Sequence, residues 1–250
     1  MTDLTDSVTI ITGASSGIGR ASAEQYLANN SHVVLVDINQ EALDETTTQL
    51  AKADNTLTLC LDISKEEDMQ SMADKTMQRF GRIDTLIASA GILRVGGLKT
   101  VSNMSFDEWS RVININLTGT FLSNRAVLPH MMKQKAGDII NISSVSGKQA
   151  HAFDSAYASS KFGMIGLSEA MAEEVAPFGI RVQSVLPDAV DTPIWDQNPG
   201  AMRADDNLSP QRVAEFIFYL TTMPRDMFLL NPVIAPMKTR KRRKKKKKAE

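Results

Sequence analysis

Short apolar runs along the chain alternate with longer stretches in which apolar residues recur every three or four positions. SVTIITG (7–13), HVVLVDI (32–38), TLTLCLDI (56–63), IDTLIASAG (83–91), GDIINISS (137–144) and IRVQSVLP (180–187) are apolar on both faces and rich in β-branched residues. That is the pattern of strands buried inside a parallel sheet. NPVIAP (231–236) is a weaker seventh strand. Between them, residues 17–30, 40–52, 65–80, 105–134, 153–176 and 210–222 carry helical patterns. Strand–helix alternation at this spacing predicts right-handed βαβ crossovers. The expected architecture is α/β: a single doubly wound Rossmann domain, with about seven parallel strands flanked by helices on both faces. PIWDQNPGAMRADDNLS (193–209) interrupts the alternation just past the sixth strand, where α/β proteins place binding loops.

Composition narrows the class. The 250 residues are 42% apolar, enough for a core, yet no apolar run reaches the ~18 residues of a membrane span. The N-terminus lacks the basic start and long apolar stretch of a signal peptide. The single cysteine, Cys60, excludes an internal disulfide and fits a reducing compartment. A cytoplasmic location is the expectation. The net charge of −1 conceals an asymmetry. KTRKRRKKKKKAE (238–250) holds ten Lys or Arg against one Glu, a net +9, which leaves −10 for the other 237 residues. Residues 1–237 therefore read as the folded domain and 238–250 as a disordered basic tail. The tail is expected to leave the domain away from Tyr157 and to make at most weak, non-specific contacts with anionic partners.

Chemistry enters with TGASSGIG (12–19), which follows the first strand and opens the first helix. Gly13 permits a tight turn, Gly17 lets the backbone approach a phosphate, and Gly19 allows close helix–strand packing. With Ser15, Ser16 and Ile18 they offer a helix N-terminus to a pyrophosphate. Asp37 ends the second strand 20 residues after Gly17, where a carboxylate accepts bonds from an adenine ribose and repels a 2′-phosphate. Neither Ser16 nor Ile38 supplies a cation, and Arg20 points along the helix, so NAD is favoured over NADP. YASSK places Tyr157 and Lys161 four apart on one helix face.

From about residue 5 to 236 the chain resembles the short-chain dehydrogenase/reductase family. The glycine motif is Thr12, Gly13, Gly17 and Gly19; the YxxxK pair is Tyr157 and Lys161. The resemblance implies an active-site serine at Ser144 in NISSVSG and an active-site asparagine at Asn116 in ININLTGTF. It also implies cofactor contacts from Asp62 and Ile63 after the third strand, Ala90 and Gly91 after the fourth, and Pro187, Val190 and Thr192 after the sixth. The implied activity is hydride transfer between a nicotinamide and an alcohol or carbonyl compound. Tyr157 would be the acid/base, Lys161 would lower its pKa and bond the nicotinamide ribose, Ser144 would hold the substrate oxygen, and Asn116 would fix a water linking Lys161 to solvent. A homodimer or homotetramer pairing the fourth and fifth helices is implied as well.

The chain departs from the family's pattern in three places. ASAG (88–91) replaces the usual NNAG, so Ser89 braces the sheet less well than an asparagine. Pro187 is followed by Asp188 rather than glycine. VIAPMKTRKR (233–242) lacks a glycine pair common near the C-terminus. The loops 93–98, 146–153 and 193–209 should form the substrate pocket. Leu93, Val95, Ala150, Phe153, Ile194 and Trp195 would make it largely apolar. His32, His130 and His151 have no metal-ligand spacing, so no metal is expected. Ser143, His151 and Asp154 suggest a hydrolase triad by composition alone. The alternative to an enzyme is a nucleotide-sensing or anionic-surface-binding protein that works through its tail.

Overall fold

The computed structural model describes residues 2–50, 52–197 and 207–237. Its seven strands are β1 (Val8–Thr12), β2 (His32–Asp37), β3 (Thr56–Cys60), β4 (Thr85–Ala88), β5 (Gly137–Ile142), β6 (Ile180–Pro187) and β7 (Val233–Ile234). They form one sheet in the order β3-β2-β1-β4-β5-β6-β7, and every neighbouring pair is parallel. The order reverses between β1 and β4, which opens a crevice at the carboxyl ends of the strands.

Alternate residues of each strand feed opposite cores. Val8, Ile10, Val34, Val36, Leu86, Ile139 and Val182 pack with residues of α3 (Glu66–Phe80), α5 (Gly119–Gln134) and α6 (Ser155–Val175). Ile11, Leu35, Ile87, Ile140 and Val185 face the other way, against α1 (Gly17–Ala28) and α7 (Pro210–Thr222). Each such side chain contributes about 1.5–3 kcal/mol on burial, so central strands with two covered faces need apolar residues throughout. α2 (Gln40–Leu50) adds Leu43 to the second core.

The long helix expected over 105–134 is broken. α4 (Phe106–Ile113) starts at a Ser105 capping box closed by Glu108. A π-helical turn follows over Asn114–Thr118 before α5 resumes. Insertions of this kind swing the residues they contain off the regular helix face, and Asn116 lies inside this one. At the amino ends of β5 and β6 a buried ion network ties α7 to the strands. Arg181 donates to Asp138 at 2.6 Å and to the carbonyls of Thr221, Met223, Pro224 and Met227. Arg225 takes the second Asp138 oxygen at 2.6 Å. Among the described residues no helix is long and apolar enough to cross a membrane.

Candidate active site

The turn after β1 is a cradle that side chains would fill. Gly13 has φ +68°, and a Cβ there would stand 2.8 Å from the Ala90 Cα. Gly17 has φ +51°, and its Cβ would press Thr192 at 3.1 Å. Gly19 lies behind the turn instead, where a Cβ would strike the Gly13 carbonyl oxygen at 2.1 Å. It serves helix–strand packing and does not line the cleft. Ser16 caps α1 without a side-chain hydrogen bond, and no acidic residue sits in the first turn. The N–H groups and positive dipole end of α1 are thus left for an anion. Asp37 is held at the end of β2 by the Ser15 N–H at 3.2 Å and the Ser15 hydroxyl at 2.6 Å, with Asn39 N–H on its other oxygen at 3.1 Å. Arg20 bonds Glu24 and Gln49. Its partners lie along α1 and across on α2, and among the described residues no cation is paired with the Asp37 carboxylate. Asp62 accepts from the Ser64 N–H and hydroxyl at 2.9 and 2.7 Å.

These residues line one end of a cleft of about 710 Å³. Ser16, Ile18, Ile63, Ala90 and Gly91 line its floor, and Ser144, Tyr157, Lys161, Pro187, Val190 and Thr192 its other end. Dimensions and lining suit an extended dinucleotide with a small substrate beyond it. The glycine cradle and the uncapped helix together fit the pyrophosphate of a dinucleotide.

Tyr157 and Lys161 project from one face of α6, with Lys161 Nζ 5.5 Å from the centre of the Tyr157 ring. Lys161 is only 5% exposed and donates to the Ile142 carbonyl at 2.7 Å. Burial lowers its pKa to about 7. Burial also raises the Tyr157 phenol to about 12; a hydrogen bond with Ser144 works against this, and the Asp154 charge adds to it. The expected lowering of Tyr157 by a fully charged Lys161 is therefore weaker than the sequence suggests, because desolvation acts on both groups.

Asn116 is fully buried behind Gly91, whose added Cβ would meet Asn116 Oδ1 at 3.1 Å and Lys161 Nζ at 3.8 Å. Its amide pairs with both main-chain groups of Ile92 at 2.8 Å and donates to Ser160 at 3.1 Å. These bonds make the side chain a clamp between the π turn and the segment after β4. The Thr12 hydroxyl adds a brace by accepting from Ala90 N–H at 3.3 Å, so the missing asparagine of ASAG is compensated from β1 and the π turn.

The substrate end is more polar than expected. Leu93, Ile194 and Trp195 line the cleft, but so do Arg94, His151, Asp154, Asp188 and Gln197. Phe153 is 49% exposed and, with Val95, lines a minor cavity beside Tyr157; Ala150 lines neither space. Gln197 accepts from Leu93 N–H at 2.9 Å and closes the β6 loop onto the β4 loop. Residues 198–206 of the expected binding loop lie outside the described residues. Sequence reasoning missed the Arg94–Asp154 ion pair across the cleft wall; a lone cation in the otherwise apolar GILRV was its signal. The composition-only triad is not assembled: Ser143 donates to the Lys161 carbonyl at 3.0 Å and Asp154 faces Arg94. His32 stacks on Phe80. No cluster among the described residues has the makings of a metal site.

Comparison with known proteins agrees with this geometry. A short chain dehydrogenase model matches residues 7–202. Uncharacterised oxidoreductases of Staphylococcus aureus strain MRSA252 and of Staphylococcus saprophyticus are 32% and 31% identical over 95% of this chain and 100% of their own length. Levodione reductase superposes with a TM-score of 0.83 at 29% identity, covering 93% of this chain and 96% of its own. A 3-ketoacyl-(acyl-carrier-protein) reductase from Brucella melitensis, complexed with NADH, gives 0.84 at 26% identity over 93% and 98%. With its cleft at the strand-order reversal and these relatives along nearly its whole length, the chain belongs to the short-chain dehydrogenase family.

Proposed function

We propose that this oxidoreductase interconverts an alcohol and a ketone or aldehyde, uses NAD(H) in preference to NADP(H), and employs Tyr157 as its acid/base. The observation that carries the reading is the convergence of Ser144, Tyr157 and Lys161 at one end of a cleft whose other end holds Asp37. The α1 N-terminus and Gly13, Ser15, Ser16, Gly17 and Ile18 would bind the pyrophosphate. Asp37 would take the adenine ribose, and Asp62 and Ile63 the adenine. Ala90, Gly91, Pro187, Val190 and Thr192 would flank the nicotinamide half. When bound, the nicotinamide supplies the hydride acceptor or donor. In the oxidative direction Tyr157, as its phenolate, would take the O–H proton of the carbinol as the C=O bond forms; in reduction its phenol would give that proton to the carbonyl oxygen.

Tyr157 at about 12 is protonated at neutral pH, the form that gives its proton to a carbonyl oxygen. Ser144 would hold that oxygen by donating its hydroxyl hydrogen. Lys161 would bond the ribose, and Asn116 would act by fixing Ile92 and the floor under Gly91. NADH in the Brucella neighbour supports the cofactor assignment, and the names of both structural neighbours support a carbonyl substrate. Residues 1–237 would form one catalytic domain in a cytoplasmic protein. Exposed Phe121 on α5 and Phe162 on α6 favour a homo-oligomer through those helices; a monomer by light scattering at micromolar concentration would contradict it.

The test is cofactor oxidation at neutral pH with a panel of cyclic ketones and 3-oxoacyl thioesters, run with NADH and NADPH. Turnover with NADH is expected. Tight cofactor binding without turnover on any carbonyl compound or alcohol would instead favour a nucleotide-sensing role.

A further inference from the structure

Asp154 breaks a local rule. It occupies the N-cap of α6, a position where aspartate ordinarily accepts from the N–H groups of the first turn. Here its side chain makes no capping bond. The carboxylate turns instead to Arg94, and the two side chains are only 10% and 18% exposed. The chain reaches this arrangement through Phe153, a bulky residue at φ +68° that is half out in solvent. A left-handed conformation is costly for such a residue and persists only where the surroundings enforce it. Uncapped helix, strained turn and partly buried pair all serve one placement: a carboxylate three residues before Tyr157, on the wall of the same cleft.

We propose that Arg94 and Asp154 form a charge-compensated pair that positions and tunes Tyr157. Asp154 opposes loss of the phenolic proton, Arg94 offsets that opposition, and removal of either partner alone moves the titration of Tyr157 in opposite directions. The proposal rests on Tyr157 being the acid/base, and it deepens that reading by identifying what sets the working pH. The Asp154 charge raises Tyr157 independently of burial, in keeping with the geometry. Other charged or titratable groups face the same space. Lys161 lies on α6 itself, His151 on the loop after β5, Asp188 after β6 and Arg111 on α4. The Lys99–Glu108 pair lines the minor cavity behind Tyr157. Among the described residues none of their side chains is bonded to the Asp154 carboxylate, and His151 meets Asp154 only through its main-chain carbonyl, which accepts from Asp154 N–H at 3.3 Å, so the Arg94 pair can be altered without dismantling them.

The experiment titrates the protein labelled with 3-fluorotyrosine, a more acidic phenol, and follows it by fluorine NMR. The chain has only three tyrosines, and the Tyr157 signal is identified by its loss in Tyr157→Phe. Asp154→Asn is expected to lower the Tyr157 midpoint by about half a pH unit or more, and Arg94→Met to raise it by a similar amount. The double variant should return to within about 0.3 unit of the parent, as expected for coupled partners. Arg94→Lys keeps the charge and should hold the parent midpoint, which preserves the test if Arg94→Met does not fold. The alkaline limb of kcat in the reductive direction, where the phenol must carry its proton, should move with these midpoints. Single variants that shift the midpoint in the same direction, or that lose turnover with the midpoint unmoved, would overturn the proposal and leave the pair a structural tie. Because the NMR titration needs no turnover, it separates this failure from failure of the assigned activity, which would appear as activity surviving in Tyr157→Phe.

Discussion

Lys161 Nζ donates to the main-chain carbonyl of Ile142 at 2.7 Å. This bond fastens α6 to the end of β5, the strand that delivers Ser144 two residues later. The only charged member of the YASSK motif is thereby anchored by the sheet, while its burial lowers its pKa to about 7.

That depression has a stability consequence. Between about pH 7 and the ordinary lysine range, the unfolded chain binds a proton at Lys161 that the folded chain does not. The contribution of this group to stability therefore rises with pH across that window, by at most about 1.4 kcal/mol per unit. Below pH 7 the full penalty applies. Lys161→Met, which keeps the stem and removes the charge, should be more stable than the parent at pH 7, with the gap narrowing toward pH 10. Urea unfolding at the two pH values measures it; a gap that is constant or widens with pH would contradict desolvation of the ammonium as the cause.

Tyr157→Phe should lower kcat by about 10²-fold or more while leaving NAD affinity nearly intact, because only the titrating oxygen is removed. Retention of more than a few per cent of kcat on an authentic substrate would remove Tyr157 from its assigned role.

Cofactor choice should reverse on replacing two residues. Ser15 holds the Asp37 carboxylate in place, and Ile38 beside it is exposed. Asp37→Ala combined with Ile38→Arg should exchange repulsion of a 2′-phosphate for attraction and shift the NADP/NAD ratio of kcat/KM upward by about tenfold or more. Equal or better use of NADP by the unmodified protein would refute the assignment to Asp37.

The Asp138 network should matter for stability and not for chemistry. Arg181→Met leaves a buried carboxylate with one partner fewer and four carbonyls without their donor. Its expected cost is about 3 kcal/mol, read as a lower urea midpoint. Arg225→Met, whose side chain is far more exposed, should cost about 1 kcal/mol or less. Equal costs would mean that burial of the pair is not what makes it count.

Residues 238–250, the expected basic tail, lie outside the described residues; β7, the strand before them, ends at Ile234. Asp188 N–H bonds the Ile234 carbonyl at 2.8 Å, and Asp188 lines the cleft. A parallel β7 ends on the same side of the sheet as the other strands, so its carboxyl end lies beside Asp188 at the cleft side of the sheet. Deleting 238–250 should leave kcat and NAD affinity within about twofold at physiological salt and weaken retention on heparin. At low ionic strength, where a net +9 acts over a longer range, the same deletion should reduce affinity for the anionic cofactor. Loss of activity at all salt concentrations would mean that the tail completes the site or the oligomer.

All seven strands and both ends of the cleft were legible in the sequence, because a doubly covered parallel sheet demands continuous apolar runs and a phosphate cradle demands glycines at fixed spacing. The pairing of Tyr157 with Lys161 followed from helical periodicity, and that of Asp37 with the glycine turn from βαβ geometry. Three features came only from tertiary structure. The π turn around Asn116 depends on what its side chain meets across space, the main chain of Ile92. The Arg94–Asp154 pair joins residues 60 positions apart, and nothing in local patterning says that Asp154 will forgo its own helix for an arginine on another loop. The pKa values of Tyr157 and Lys161 are set by desolvation, a property of everything packed around them. Local sequence determined which residues could react; the low-dielectric surroundings built by distant segments decided in which protonation state they stand.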